Sequence, residues 1–169
     1  MTAANAYYTD HLGVSTYDLL TGTSGTAMAG DIDFYQACGR QFGDPVLELA
    51  VGTGRVAWQL AEAGMRVVGI DLSPAMLEWA NREGAGRPAS VRERVTLHQA
   101  DMTAFALPAS FPLAIIPYSA FQHLVSSDHQ RSALGCIHRP ADPGSAPARF
   151  PSHMKPRTPS TGKRSILVP

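Results

Sequence analysis

The chain has 169 residues, enough for one domain with a core of its own and slightly short for a complete α/β enzyme. Apolar residues make up 44% and charged residues 17%, which excludes the disordered and fibrous classes. The formal net charge of zero averages two unlike parts: Met1 to Arg139 carries 9 Arg and no Lys against 13 acids, and the remaining 30 residues hold 5 bases and a single acid, Asp142. No apolar run reaches the roughly 18 residues of a membrane span. The N-terminus lacks the basic-then-apolar pattern of a secretory signal. Cys38 and Cys136 form no CxxC or Cys/His cluster with metal spacing, so no metal site is expected and a reduced, cytoplasmic setting is the simplest reading.

In chain order, Tyr7 to Gly30 is a mixed Gly/Thr/Ser segment, expected to form a short helix and a connection. Asp31 to Phe42 reads as a helix capped by Asp31, with Ile32, Tyr35 and Cys38 on one stripe, stopped by Gly43-Asp44-Pro45. Val46 to Val51 is nearly all apolar, as a strand buried on both faces should be. Gly52-Thr53-Gly54 turns into a helix from Arg55 to about Ala63, ended by Gly64. Met65 to Ile70 is a second buried strand. Ser73 and Pro74 then open a helix, as cap and first helical residue, with Met76, Leu77 and Ala80 inward. Val95 to Gln99 and Leu113 to Pro117 are a third and a fourth strand. Ser126 or Ser127 caps a last helix to about His138, with Ser127 and Gln130 at capping-box spacing. Strands alternating with helices in this way imply an α/β, doubly wound parallel sheet.

After Arg139 the pattern stops. Residues 140–169 hold 7 prolines and almost no periodicity, which predicts a basic, proline-rich disordered tail. The expected organisation is thus an N-terminal cap segment at 1–30, a sheet domain at 31–139 and a tail at 140–169.

Three segments carry the chemistry. In Val46-Leu47-Glu48-Leu49-Ala50-Val51-Gly52-Thr53-Gly54-Arg55, small residues let backbone approach a ligand, and free amides open a helix. Gly52-x-Gly54-x-x-Ala57 alone also fits a dinucleotide fingerprint. Glu48 shifts the balance, since a carboxylate inside a buried strand is costly unless something holds it. Asp71, 17 residues after Gly54 at the end of the second strand, can accept both hydroxyls of a ribose in a nucleotide or an adenosyl ligand. Asp101 and Met102, at the end of the third strand, can accept an adenine amino group and pack against its ring.

Together these segments resemble the class I S-adenosylmethionine-dependent methyltransferases of small-molecule type. Glu48-Leu-Ala-Val-Gly-Thr-Gly matches the first motif of that family, with Ala50 where glycine is commoner. Asp71-Leu-Ser-Pro-x-Met, ending on Met76, matches the segment after the second strand, and Asp101-Met102 the adenine motif. The resemblance covers roughly Asp31 to Arg139. It implies a Rossmann-like fold and S-adenosyl-L-methionine as cofactor, with Ala50, Gly52 and Gly54 lining the methionine and ribose part. By the same resemblance Asp71 holds the ribose, Leu72 flanks the adenine and Asp101 reads its amino group. Tyr17 resembles an N-terminal tyrosine that covers the cofactor in small-molecule members.

Methyl transfer from a sulfonium needs mainly an acceptor held in line behind the methyl group. Tyr118, Phe121 and Gln122, after the fourth strand, would wall the acceptor. His123 is the candidate base, which a hydroxyl acceptor needs and a free amine does not. Phe111-Pro112-Leu113 lacks the usual acid near the fourth strand, which favours an amine. The acidic body has no basic stripe for a phosphate backbone, so a small molecule rather than nucleic acid or membrane is the expected partner. Members of the family continue after the helix near His138 with a fifth strand and two more, whereas here only strands one to four are legible. A truncation or reading-frame shift is therefore a working hypothesis. It leaves two alternatives in play: a catalytically inactive fragment that at most binds cofactor, and an NAD-dependent oxidoreductase, whose fingerprint overlaps.

Overall fold

In the computed structural model, residues 30–138 are described. The N-terminal segment with Tyr17 and the proline-rich tail, with the boundaries expected for both, lie outside them.

The first helix, α1, spans Asp31–Phe42. Its cap is Gly30, at φ 93°, rather than Asp31. Asp31 stands in the first turn, where a carboxylate suits the positive end of the helix, and there it pairs with Arg55. Tyr35, Cys38 and Gly39 are buried.

Four parallel strands follow: β1 (Val46–Leu49), β2 (Val67–Asp71), β3 (Val95–Gln99) and β4 (Leu113–Ile115). They lie side by side in the order β3-β2-β1-β4, so the expected parallel α/β sheet is present. Every side chain of β1 is buried, as its apolar run requires of a central strand. The strand stops two residues before the expected Val51 because Ala50 turns left-handed, at φ 54°. The second strand starts at Val67 rather than Met65. The Asp44 carboxylate takes the backbone amide of Arg66 at 2.8 Å and binds its guanidinium as well, while the Arg66 carbonyl accepts the Val46 amide at 2.9 Å and leads into the ladder. At the edge, β3 leaves Thr96, His98 and Gln99 exposed. Among the described residues β4 pairs with β1 alone, as expected of a fourth strand with a neighbour on one side.

The helices α2 (Arg55–Glu62), α3 (Pro74–Ala85) and α4 (Ala89–Arg92) fill the crossovers on the β2–β3 side. Ser73 caps α3, accepting the amide of Met76 at 3.3 Å, with Pro74 first in the helix. The last helix, α5 (Ser127–Ile137), is capped by Ser126, which accepts the amide of His129. The Ser127–Gln130 capping box does not form: Gln130 instead donates its side-chain amide to the Leu124 carbonyl at 2.8 Å.

Alternation along β1 separates two cores. Val46 joins Tyr35, Cys38, Val56, Leu60, Leu77 and Leu113 under α1 and α2. Leu47 and Leu49 join Phe105, Phe111, Phe121, Ala133 and Ile137 on the opposite face. Each buried Leu, Ile or Phe contributes about 1.5–3 kcal/mol relative to leaving it in water, so both faces hold the sheet.

Candidate functional site

The chain runs outward from β1 to β2 and β3, then returns to β4 on the other side of β1. The crossovers diverge there, and the crevice at the C-terminal ends of β1 and β4 is where an open α/β sheet takes a ligand. The loops after all four strands meet at this end.

The loop after β1 is built around backbone torsion. Ala50, Gly52 and Gly54 all have positive φ, at 54°, 56° and 82°. At Gly54 a Cβ would stand 2.7 Å from the Trp58 indole nitrogen, which itself donates to the Ala80 carbonyl at 3.0 Å. Glycine is thus required by torsion and by space at once. Ala50 bears the same torsion with a side chain, a local strain of the kind found where the chain is shaped for a ligand.

Asp71 ends β2 and ties the turn to it. Its Oδ2 accepts the amide of Gly52 at 2.8 Å and its Oδ1 the amide of Ser73 at 2.8 Å. Burial raises its pKa from the usual carboxylate value, opposed by the backbone N–H groups of Ser73, Gly52 and Leu72. Each oxygen keeps a further lone pair, so the carboxylate can still accept hydroxyls while it holds the turn. Leu72, beside it, is 61% exposed, an apolar surface of the sort that packs on a planar base. Asp101, after β3, is exposed and caps its own loop: Oδ1 accepts the amide and the hydroxyl of Thr103, each at 2.7 Å. Met102 is half-buried against the core under α5.

Glu48 points to the α1/α2 face below the glycine turn, the same side as Val46. It is 2% exposed, and its Oε2 has no hydrogen-bond partner. Burial pushes its pKa from 4.5 up to about 8, against the pull of the Arg55 guanidinium. Arg55, at the start of α2, binds Asp31 through both terminal nitrogens, at 3.0 and 2.5 Å. That pair fastens the start of α1 to the turn, a contact with no motif in the sequence to signal it.

Met76 lies inward, as its helical spacing predicts, whereas Phe121 departs from its expected surroundings. Met76 is 2% exposed, because the cap at Ser73 turns the first turn of α3 inward, and it leaves little surface for a ligand. Phe121, expected as part of an acceptor wall, is also 2% exposed. It sits on a short 3-10 turn, Ala120–His123, and packs into the core with Phe105 and Phe111. Tyr118, Gln122 and His123 are exposed at this end of the sheet, with Tyr118 at φ 57°.

The fold and this turn define an α/β ligand-binding domain of Rossmann-like class. Comparison with known proteins narrows it: a methyltransferase domain model matches residues 46–144, and the chain belongs to that family. It is 34% identical over 95 residues to the uncharacterised methyltransferase YrrT of Bacillus subtilis, covering 56% of this chain and 41% of that protein. Among solved structures, the glycopeptide N-methyltransferase MtfA with S-adenosyl-L-homocysteine is 31% identical at a TM-score of 0.62, over 76% of this chain and 50% of that one. The CcbJ methyltransferase of Streptomyces caelestis is 25% identical at 0.66, over 79% and 53%. The chain thus spans about two fifths of the length of the curated relative and half of these structures. All are methyltransferases and give no support to the oxidoreductase alternative.

Proposed function

We propose that this chain binds S-adenosyl-L-methionine and serves methyl transfer to a small-molecule acceptor. The observation that carries the reading is the left-handed turn at Ala50, Gly52 and Gly54, held by Asp71 at the switch point of the sheet. The cofactor, when bound, supplies a methyl group already activated on a sulfonium. This chain's residues would hold it: the turn at Ala50, Gly52 and Gly54 against the amino-acid and ribose part, Asp71 on the ribose hydroxyls, and Leu72 and Asp101 at the base. Met102 would add apolar contact from the loop after β3. Glu48 and Met76 act from behind this surface rather than on it. MtfA, crystallised with S-adenosyl-L-methionine at a TM-score of 0.63 and 27% identity, supports the cofactor assignment.

On the acceptor side, Tyr118, Gln122 and His123 would form the wall next to the methyl group, with Phe121 supporting it from the core. A nitrogen acceptor is favoured. A neutral amine brings its own lone pair and needs no base to attack in line, and MtfA is an N-methyltransferase. His123 becomes the base if the acceptor is a hydroxyl. A cytoplasmic site of action belongs to the same reading, supported by two buried cysteines kept as free thiols.

Calorimetric titration of the full chain with S-adenosyl-L-methionine, S-adenosyl-L-homocysteine and NAD tests the assignment. Micromolar binding of both adenosyl ligands is expected. Binding of NAD alone would overturn it. Adenosyl binding without methylation of any of a panel of amines and alcohols would favour the inactive-fragment alternative.

A further inference from the structure

The carboxylate of Asp101 stands exposed after β3. A side chain in such a place ordinarily turns among rotamers, and a ligand that uses it loses part of the contact to ordering it. Here the ordering is built in. The Asp101 carbonyl accepts the Ala104 amide at 3.0 Å, closing a turn over 101–104. Inside that turn Oδ1 accepts both the amide and the hydroxyl of Thr103, each at 2.7 Å, distances usual for bonds to a carboxylate. Both donors fall on one oxygen. Among the described residues no donor reaches Oδ2, so the carboxylate is held by one oxygen and open at the other.

Thr103 is itself anchored from the far side. Its carbonyl accepts the Cys136 thiol of α5 at 3.5 Å, a weak bond by its chemistry. Phe105 is 8% exposed and packs with Phe111, Phe121 and Ile137, and Met102 rests on the same core. Apolar side chains thus pin the loop on each side of Thr103, and its hydroxyl stands between them.

We propose that Thr103 is a positioning residue for base recognition: by holding Oδ1 of Asp101 it fixes Oδ2 as the acceptor and makes the site choose a 6-amino purine over a 6-oxo one. This rests on the cofactor proposed above, with Asp101 at its base. A carboxylate accepts hydrogen bonds and cannot donate them. The amino group of adenine donates to Oδ2, whereas the 6-oxo group of hypoxanthine turns a lone pair toward it. Hypoxanthine also carries a hydrogen on N1, where adenine has an acceptor. A carboxylate free to swing could shift to that N1–H and recover a bond; one held through Oδ1 cannot. The hydroxyl of Thr103 therefore acts on discrimination more than on affinity.

The test is calorimetric titration of the full chain with S-adenosyl-L-homocysteine and with S-inosyl-L-homocysteine, the same ligand with oxygen in place of the purine amino group. Amino acid and ribose are shared, so the ratio of affinities reports on the base alone. The unsubstituted chain should prefer the adenosyl ligand by about tenfold or more, as a mismatched hydrogen bond to a charged group dictates. In Thr103→Val, which keeps the shape and the backbone amide, that ratio should fall about tenfold, chiefly because the inosyl ligand binds better. Thr103→Ser, which keeps the hydroxyl, should restore it. Asp101→Asn gives a second readout. The Thr103 donors take its amide oxygen in the place of Oδ1, its amide nitrogen stands in the place of Oδ2, and the preference should reverse toward the inosyl ligand. A loop that is merely loosened weakens both ligands together. An unchanged ratio in Thr103→Val, no restoration by Thr103→Ser, or an Asp101→Asn chain that still prefers the adenosyl ligand overturns the proposal and leaves the cofactor assignment standing. So does an unsubstituted chain that binds both ligands equally. Failure of that chain to bind S-adenosyl-L-homocysteine removes both.

Discussion

At the scale of single residues, the site is made of backbone positions held against their preference. Ala50 is the clearest, a residue with a Cβ at φ 54°. The left-handed region costs a residue with a Cβ about 1–2 kcal/mol, whereas glycine adopts it freely but loses about 0.5–1 kcal/mol more backbone entropy on folding. The difference favours glycine, so Ala50→Gly should stabilise the chain by up to about 1 kcal/mol, read as a rise in the denaturant midpoint with unchanged slope. A fall in the midpoint would mean that the alanine methyl makes a contact worth more than the torsion. Glu48 gives a second expectation at this scale. Its folded pKa, about 8, lies above its ordinary 4.5, so the folded state holds a proton that the unfolded chain has released between those values. Stability is therefore full below about pH 4.5 and falls as pH rises to about 8. The slope from this group approaches at most about 1.4 kcal/mol per pH unit. The difference in unfolding free energy between the unsubstituted chain and Glu48→Gln should show that slope, and parallel curves would contradict it.

At the scale of elements, what the sequence made legible is what periodicity and punctuation encode. The order of strands and helices, the Ser73-Pro74 start of α3 and the span of β3 could all be read in advance. So could the place of the turn, because Gly52 and Gly54 mark it. Strand ends were less legible, since Ala50 leaves β1 by a torsion its residue type does not announce. The four residues of α4 carry no period of their own. The inward placement of Phe121 depends on a 3-10 turn that only the packed core selects. The pair Asp31–Arg55 was illegible for a plainer reason: it joins two helix starts 24 residues apart. It is only part-exposed, at 16% for Arg55 and 24% for Asp31, so it is worth more than a pair in open water. Asp31→Asn should cost about 1–3 kcal/mol and loosen α1 at its first turn. Hydrogen exchange would report this as faster exchange at residues 34–36 with the α5 amides unchanged; equal acceleration in both helices would make the pair a global support rather than a local latch.

At the scale of the whole molecule, one sheet separates two cores, and each contains a buried free cysteine. Cys38 lies with Tyr35 and Leu60 under α1 and α2, and Cys136 lies with Phe105 and Ile137 under α5. Burial also raises the pKa of the Cys38 thiol, so the reactive thiolate is scarce until that face opens. The two faces share every strand, and β1 sends Val46 into one core and Leu47 and Leu49 into the other. Removing α1 and α2 would strip one side of β1 and weaken the support that the other core rests on. The two cores should therefore open as one unit, and thiol labelling can measure this. In Cys136→Ala and Cys38→Ala, each left with one thiol, labelling by an aromatic disulfide in the opening-limited regime should proceed at closely similar rates. Both rates should fall in step as an adenosyl ligand is added, since a ligand that binds only the folded state suppresses global opening. A Cys136 rate well above that of Cys38 and indifferent to ligand would show that the α5 face opens alone, and that the cofactor turn is held by the α1/α2 core independently of the layer carrying the acceptor wall.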